Sequence, residues 1–183
     1  MQKIWLVDNP NNYCLFTALL LLYQTLCANW KMINKETGEI RFTSTLNVSP
    51  KTVFGVAMAL TDGLQRSVDD MKNGWKWIRL KAVESDTAQY HIGLAFNNGN
   101  LQLLDFTIDP KDSDPSDYGY ENWSAEKEQN RLKKFEQWLT NEIGQQRSFD
   151  WGKIQAVYDP KSSFSSIVVH YTKTQKTTGA NNI

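Results

Sequence analysis

An α+β fold, an antiparallel sheet with an N-terminal helix packed on one face, is what this sequence predicts, and three features predict it. The first is the apolar run at residues 13–23, which follows a loop of Asp8 and Asn side chains and reads as a buried helix reaching about Ala28. The second is a set of three alternating segments, 75–83, 89–96 and 100–108, whose short connections predict an antiparallel meander. The third is the stretch opened by Ser124 and closed by Gly144, in which Leu132, Phe135, Trp138, Leu139 and Ile143 recur at helical spacing.

The intervening elements follow from local chemistry. Residues 1–7 read as a short apolar strand. Residues 30–34 and 39–46 flank Lys35-Glu36-Thr37-Gly38, a hairpin turn. Ser49-Pro50 predicts a helix start, Ser as N-cap and Pro at the first helical position, with the helix running to about Met71 and interrupted near Gly63. Segments 153–158 and 163–172 around Asp159-Pro160-Lys161 form a last hairpin, and residues 173–183 a polar, flexible tail. The exposed positions of the Ser124 helix, Glu126, Lys127, Glu128, Arg131, Lys133 and Lys134, read as its solvated face. Residues 1–172 are thus expected to form one domain.

Composition narrows the function. The 183 residues are 40% hydrophobic and 22% charged, which describes a globular chain with a genuine core. Twenty basic and twenty acidic residues give a formal net charge of +0, without the basic excess of a phosphate-binding protein, so no nucleic-acid partner is expected. Two cysteines and two histidines stand too far apart for a zinc ribbon or finger, and no metal or other cofactor is expected. A helix between Cys14 and Cys27 would hold them three to four turns apart, so free thiols are expected in a reducing compartment. The acidic stretch with Asp109, Asp112, Asp114 and Asp117 lacks EF-hand spacing and reads as a solvated loop. The apolar run is too short to span a bilayer, and Asp8 with Asn9, Asn11 and Asn12 separates it from Lys3, unlike a signal peptide. Cytoplasmic residence, or export without a signal peptide, and no membrane partner follow as expectations.

The chemistry centres on three residues. Cys14, in the first turn behind an Asn cap, would feel the positive end of the helix dipole, which favours thiolate. In Tyr90-His91-Ile92-Gly93-Leu94-Ala95-Phe96 one strand face carries Tyr, Ile, Leu and Phe, and the other carries His, Gly and Ala, room for a thiol-bearing helix end beside an imidazole. A three-residue Asn97-Asn98-Gly99 loop would place His91 opposite Asp105, within reach of a carboxylate that orients the ring. A two-residue Asn98-Gly99 loop would turn Asp105 to the other face. In the first register Cys14 is the nucleophile, His91 the base and Asp105 the orienting acid, with an oxyanion donor from the Cys14 N–H and a side chain such as Asn11, Asn12 or Asn9.

Cys on a helix N-terminus, His91-Ile92-Gly93-Leu94 on a strand and Leu104-Asp105 on the next resemble the papain-like superfamily, which includes transglutaminase-like proteins, protein-glutamine deamidases and cell-wall amidases. The resemblance covers about residues 11–28 and 75–110. It implies a cysteine amidohydrolase, a protease, deamidase or peptidoglycan amidase, acting on a protein or peptide. The string Cys14-Leu15-Phe16-Thr17-Ala18 also looks like the nucleophile helix of ovarian-tumour-type deubiquitinases, but Asn11 stands where those have Asp and His170 is the one candidate for their late His. The alternative is a non-catalytic binding protein of the bacterial immunity or toxin-neutralising kind, in which Cys14 and His91 are separate core residues. A third reading is a papain-like fold that binds without catalysis.

Overall fold

The computed structural model describes residues 31–111 and 123–172. The chain divides into units Met1–Lys31 and Met32–Ile183, and every element below belongs to the second. Cys14, Asn9, Asn11 and Asn12, the expected N-terminal helix and the expected tail therefore lie outside the described residues.

A ribbon of β1 (Ile40–Arg41) and β2 (Asn47–Val48) precedes a short helix α1 (Phe54–Leu60). Then come β3 (Arg66–Asp70), β4 (Trp75–Glu84), β5 (Ala88–Asn97) and β6 (Asn100–Pro110), the long helix α2 (Ala125–Ile143), and β7 (Ser148–Phe149), β8 (Gly152–Asp159) and β9 (Phe164–Tyr171). Strands β3 to β9 make one sheet in the order β3-β4-β5-β6-β9-β8-β7, with every neighbouring pair antiparallel. The described residues form an α+β fold, a large antiparallel sheet with two helices. Its core is the sheet face carrying Ile78, Leu80, Ile92, Leu94, Phe106, Ile154, Ile167 and Val169, all essentially buried. The ribbon, α1 and α2 meet that face through edge-on ring contacts: Phe42 on Tyr90 and Phe106, Phe54 on Phe96, Trp138 on Phe106.

Two expectations are corrected here. The helix from Ser49 to Met71 is only Phe54–Leu60. Ser49 and Thr52 satisfy each other in a local turn, Ser49 N–H donating to Thr52 Oγ1 at 2.9 Å and Thr52 N–H to the Ser49 carbonyl at 2.9 Å, so Ser49 caps nothing. Val53 precedes the helix without a side-chain cap, and the Phe54 N–H is bonded instead to the Gly99 carbonyl of the β5–β6 turn at 2.8 Å. Thr61 and the Arg66 guanidinium cover the last carbonyls of α1, and Gly63 at φ +78° turns the chain into β3, where pairing with β4 replaces helix.

The second correction concerns α2. Ser124 caps it as expected, accepting from the Lys127 N–H at 3.1 Å, and Gly144 ends it. Glu128 and Arg131, however, are not on a solvated face: Glu128 is 5% exposed and Arg131 is largely covered. The register between β6 and β9 stops at Phe106 against Ile167, although β6 continues to Pro110 and β9 begins at Phe164. At that end Glu128 stands in for a strand. Its Oε2 accepts from the Ser165 N–H at 2.7 Å, its carbonyl accepts from Ser165 Oγ at 3.0 Å, and Arg131 lies 3.6 Å from its Oε1. Arg131 also donates to Asp109 Oδ1, and Thr107 Oγ1 donates to Asp109 Oδ2 at 3.1 Å. Asp109, expected in an acidic loop, is thus a buried residue of β6, 3% exposed.

The turn Asn34–Glu39 forms as expected, and Gly38, at φ +72°, lies under the Trp151 ring, where a Cβ would come within 2.5 Å of a ring carbon. Trp151 Nε1 donates to the Lys35 carbonyl at 2.7 Å, and Tyr171 Oη to the Gly38 carbonyl at 3.1 Å.

Glu128→Ala leaves the Ser165 N–H unpaired and Arg131 with less charge compensation, and is expected to lower stability by roughly 3 kcal/mol. Urea denaturation at neutral pH checks this, and a loss below about 1 kcal/mol would remove Glu128 from the architecture.

Candidate functional site

The β5–β6 hairpin decides where the sequence-predicted residues meet. Its loop is the two-residue Asn98-Gly99 rather than the expected three-residue Asn97-Asn98-Gly99, with φ +49° and +81°, both left-handed, as a tight primed turn needs. Asn97 therefore pairs with Asn100 and Phe96 with Leu101. A bulge then leaves Gln102 without an opposite residue, and from Ala95↔Leu103 onward every pairing is shifted by one. The two-residue loop alone would have turned Asp105 away from the His91 face, and the bulge turns it back.

The expected pairing of His91 with Asp105 is corrected by two residues along β6. His91 stands opposite Thr107, and Asp105 stands opposite Gly93. The carboxylate nearest the imidazole is Asp109, with Oδ2 3.9 Å from His91 Nε2, beyond hydrogen-bonding length and already engaged by Thr107 and Arg131. The His91 side chain is 43% exposed, whereas Gly93 and Ala95 on the same face are buried. His170 is exposed on β9, opposite Leu103.

Asp105 has its own surroundings. It lies in a row that crosses the sheet from Ser67 through Arg79 and Gly93 to Asp105 and Val168. Gly93 is required there: a Cβ on it would come within 1.9 Å of Asp105 Oδ1, so only a glycine lets the carboxylate lie across β5 towards Arg79. Oδ1 is buried and has no hydrogen-bond partner among the described residues. Burial pushes the Asp105 carboxyl up from 3.8 to about 6, against the opposing pull of the Arg79 charge. Arg79 itself is half exposed, lies 4.9 Å over the Trp77 ring and is paired with Asp69 on β3. Trp75 and Trp77 share this outer face and are only partly buried.

Asp109 joins this face to a cavity of about 670 Å³ on the α2 side, walled by Trp123, Phe135, Trp138 and Phe164 with Arg131 and Glu128. The buried acid–base set there was missed in the sequence. One signal was present: Glu128 sits one heptad before Phe135 and about three turns before Leu139, on the apolar side of α2. Among the described residues no group of three His, Cys, Asp or Glu side chains is placed to hold a metal ion, and no helix is long and apolar enough to cross a membrane.

An acid whose folded-state pKa is raised holds its proton more tightly folded than unfolded, so the contribution of Asp105 to stability falls as pH rises from about 4 through about 6 and stays low above. Asp105→Asn is expected to remove this loss and to be more stable than the parent at pH 8 by on the order of 3 kcal/mol, with the difference closing towards pH 4. Denaturation midpoints of both proteins across that range decide it, and a variant no more stable at pH 8 would contradict the strained carboxylate.

No family model matches the sequence, and no curated protein matches it. A chain of a solved structure described as "Rhs1-CT in complex with cognate immunity protein RhsI1" is similar to this one in fold, with a TM-score of 0.50 and 15% sequence identity over 81% of this chain and 91% of that chain.

Proposed function

We propose that this protein is a toxin-neutralising binding protein of the bacterial immunity kind, whose partner is a protein. The observation that carries the reading is the fold likeness to a chain of a toxin–immunity complex, which spans nearly the whole of that chain. The site geometry supports it from the other side. His91 and Asp105 are two residues out of register for a base and its orienting acid, whereas Trp77 and Arg79, stacked on the same face, are residue types that carry protein–protein binding energy.

A toxin domain is expected to be encoded beside the gene, and co-production with it is expected to restore growth and to give a 1:1 complex by size-exclusion light scattering. Absence of such a neighbour, or a toxin that neither binds nor is neutralised, would end this reading.

A second reading is a papain-like cysteine amidohydrolase with Cys14, His91 and Asp105 in its site and Asn11 or Asn12 at the oxyanion. It is favoured by His91 and Asp105 sharing one sheet face, with Gly93 and Ala95 leaving room beside the imidazole. On this reading Cys14 alkylates rapidly with iodoacetamide at neutral pH, and Cys14→Ala abolishes protection of cells as well as hydrolysis. If Cys14→Ala protects as well as the parent and Cys14 is unreactive, the amidohydrolase reading fails.

A further inference from the structure

The sheet has two unlike faces. The ribbon, α1 and α2 make their ring contacts on one of them, at Tyr90, Phe96 and Phe106. Among the described residues, none from those elements hydrogen-bonds or ring-stacks onto Trp77, Arg79, Gly93 or Asp105, which lie on the other. An outer face that only met water would be expected to carry solvated polar side chains alternating with the core positions. This one instead carries Trp75, Trp77, Leu103 and Val168, all partly buried, around a carboxylate.

That carboxylate is the informative group. The fold lays Asp105 over Gly93, which admits it only because it has no side chain, and leaves Oδ1 buried and unpaired. Arg79, the nearby cation in the same row, is already held by Asp69 and stacked on Trp77. Asparagine at the same position would fill the same space without the charge, so nothing in packing calls for an acid. A fixed, desolvated carboxylate with Val168 opposite it and Leu103 two residues before it on the same face has the chemistry of a socket for a cationic side chain, whose charge would offset the local destabilisation.

We propose that this outer face, centred on Asp105 with Leu103 and Val168 beside it and Trp77 two strands away on the same face, is the docking surface for the protein partner, and that the partner inserts a lysine or arginine side chain onto Asp105. The inference rests on the binding reading above and specifies its surface. Occupancy by a second copy of the chain is a competing outcome that the test separates.

The test uses the full chain and the toxin domain encoded beside its gene, with affinities from calorimetry and thermal midpoints recorded for every variant. Asp105→Asn is expected to weaken binding at least tenfold while its thermal midpoint stays level or rises, a combination that a merely structural role does not give. Trp77→Ala is expected to weaken binding similarly, and Lys133→Ala, exposed on α2 away from this face, to leave it unchanged. If the parent binds and Asp105→Asn and Trp77→Ala bind equally well, the surface is wrong while the binding reading stands. If the parent does not bind, the binding reading fails and this surface with it. If the parent alone is a dimer that Asp105→Asn dissociates, the occupant is a second copy and the proposed partner contact is overturned.

Discussion

Everything on the α2 side of the molecule depends on one buried set of charges. Where β6 and β9 cease to pair, Ser165 has a backbone N–H with no strand to take it, and Glu128 supplies a carboxylate at 2.7 Å. A carboxylate cannot be buried alone, so Arg131, one turn further along the helix, lies between Glu128 and Asp109, and Thr107 completes Asp109. The helix is thereby tied to β6 and β9 at its N-terminal half, and Phe135, Leu139 and Ile143 close the core along the rest. The arrangement gives α2 one rotational setting: turning it by a residue would put Glu128 in water and leave Arg131 without its acids.

The same set of charges shapes the chemistry of the opposite face. Asp109 is the carboxylate nearest His91, but its oxygens are already taken by Arg131 and Thr107, so it is a structural acid at 3.9 Å from the imidazole. Asp105, four residues back, is in the reverse condition, with room made for it by Gly93 and no described partner for Oδ1. Two aspartates on one strand face therefore do opposite things: one holds the fold, and the other weighs against it. Residues of the second sort collect at working surfaces, because a fold retains a local destabilisation only where something outside the fold relieves it.

How much of this could be read from the sequence divides along physical lines. The meander, the Ser124 cap, the Gly144 stop and the last hairpin were legible, since each rests on the pattern of a few neighbouring residues. The α1 boundaries were not, because Ser49-Pro50 carries a helix-start signal that a Ser49–Thr52 turn pre-empts, and β3 is a strand only through its pairing with β4. The pairing of His91 was the sharpest miss. The expected three-residue loop is the two-residue Asn98-Gly99 turn, and a bulge at Gln102 shifts the ladder by one more residue, although nothing local to Leu101-Gln102-Leu103 announces a bulge.

The sequence by itself determined which segments alternate, which helix is amphipathic and that Asp105, His91 and Gly93 belong to one hairpin, because periodicity and turn preference act over distances shorter than the elements themselves. Only the tertiary structure decided that Glu128 and Arg131 are buried, that Asp109 rather than Asp105 neighbours His91, and that Asp105 lies unpaired over Gly93. Those outcomes depend on a one-residue register and on where two strands stop pairing, and both are settled by the summed packing of the whole sheet.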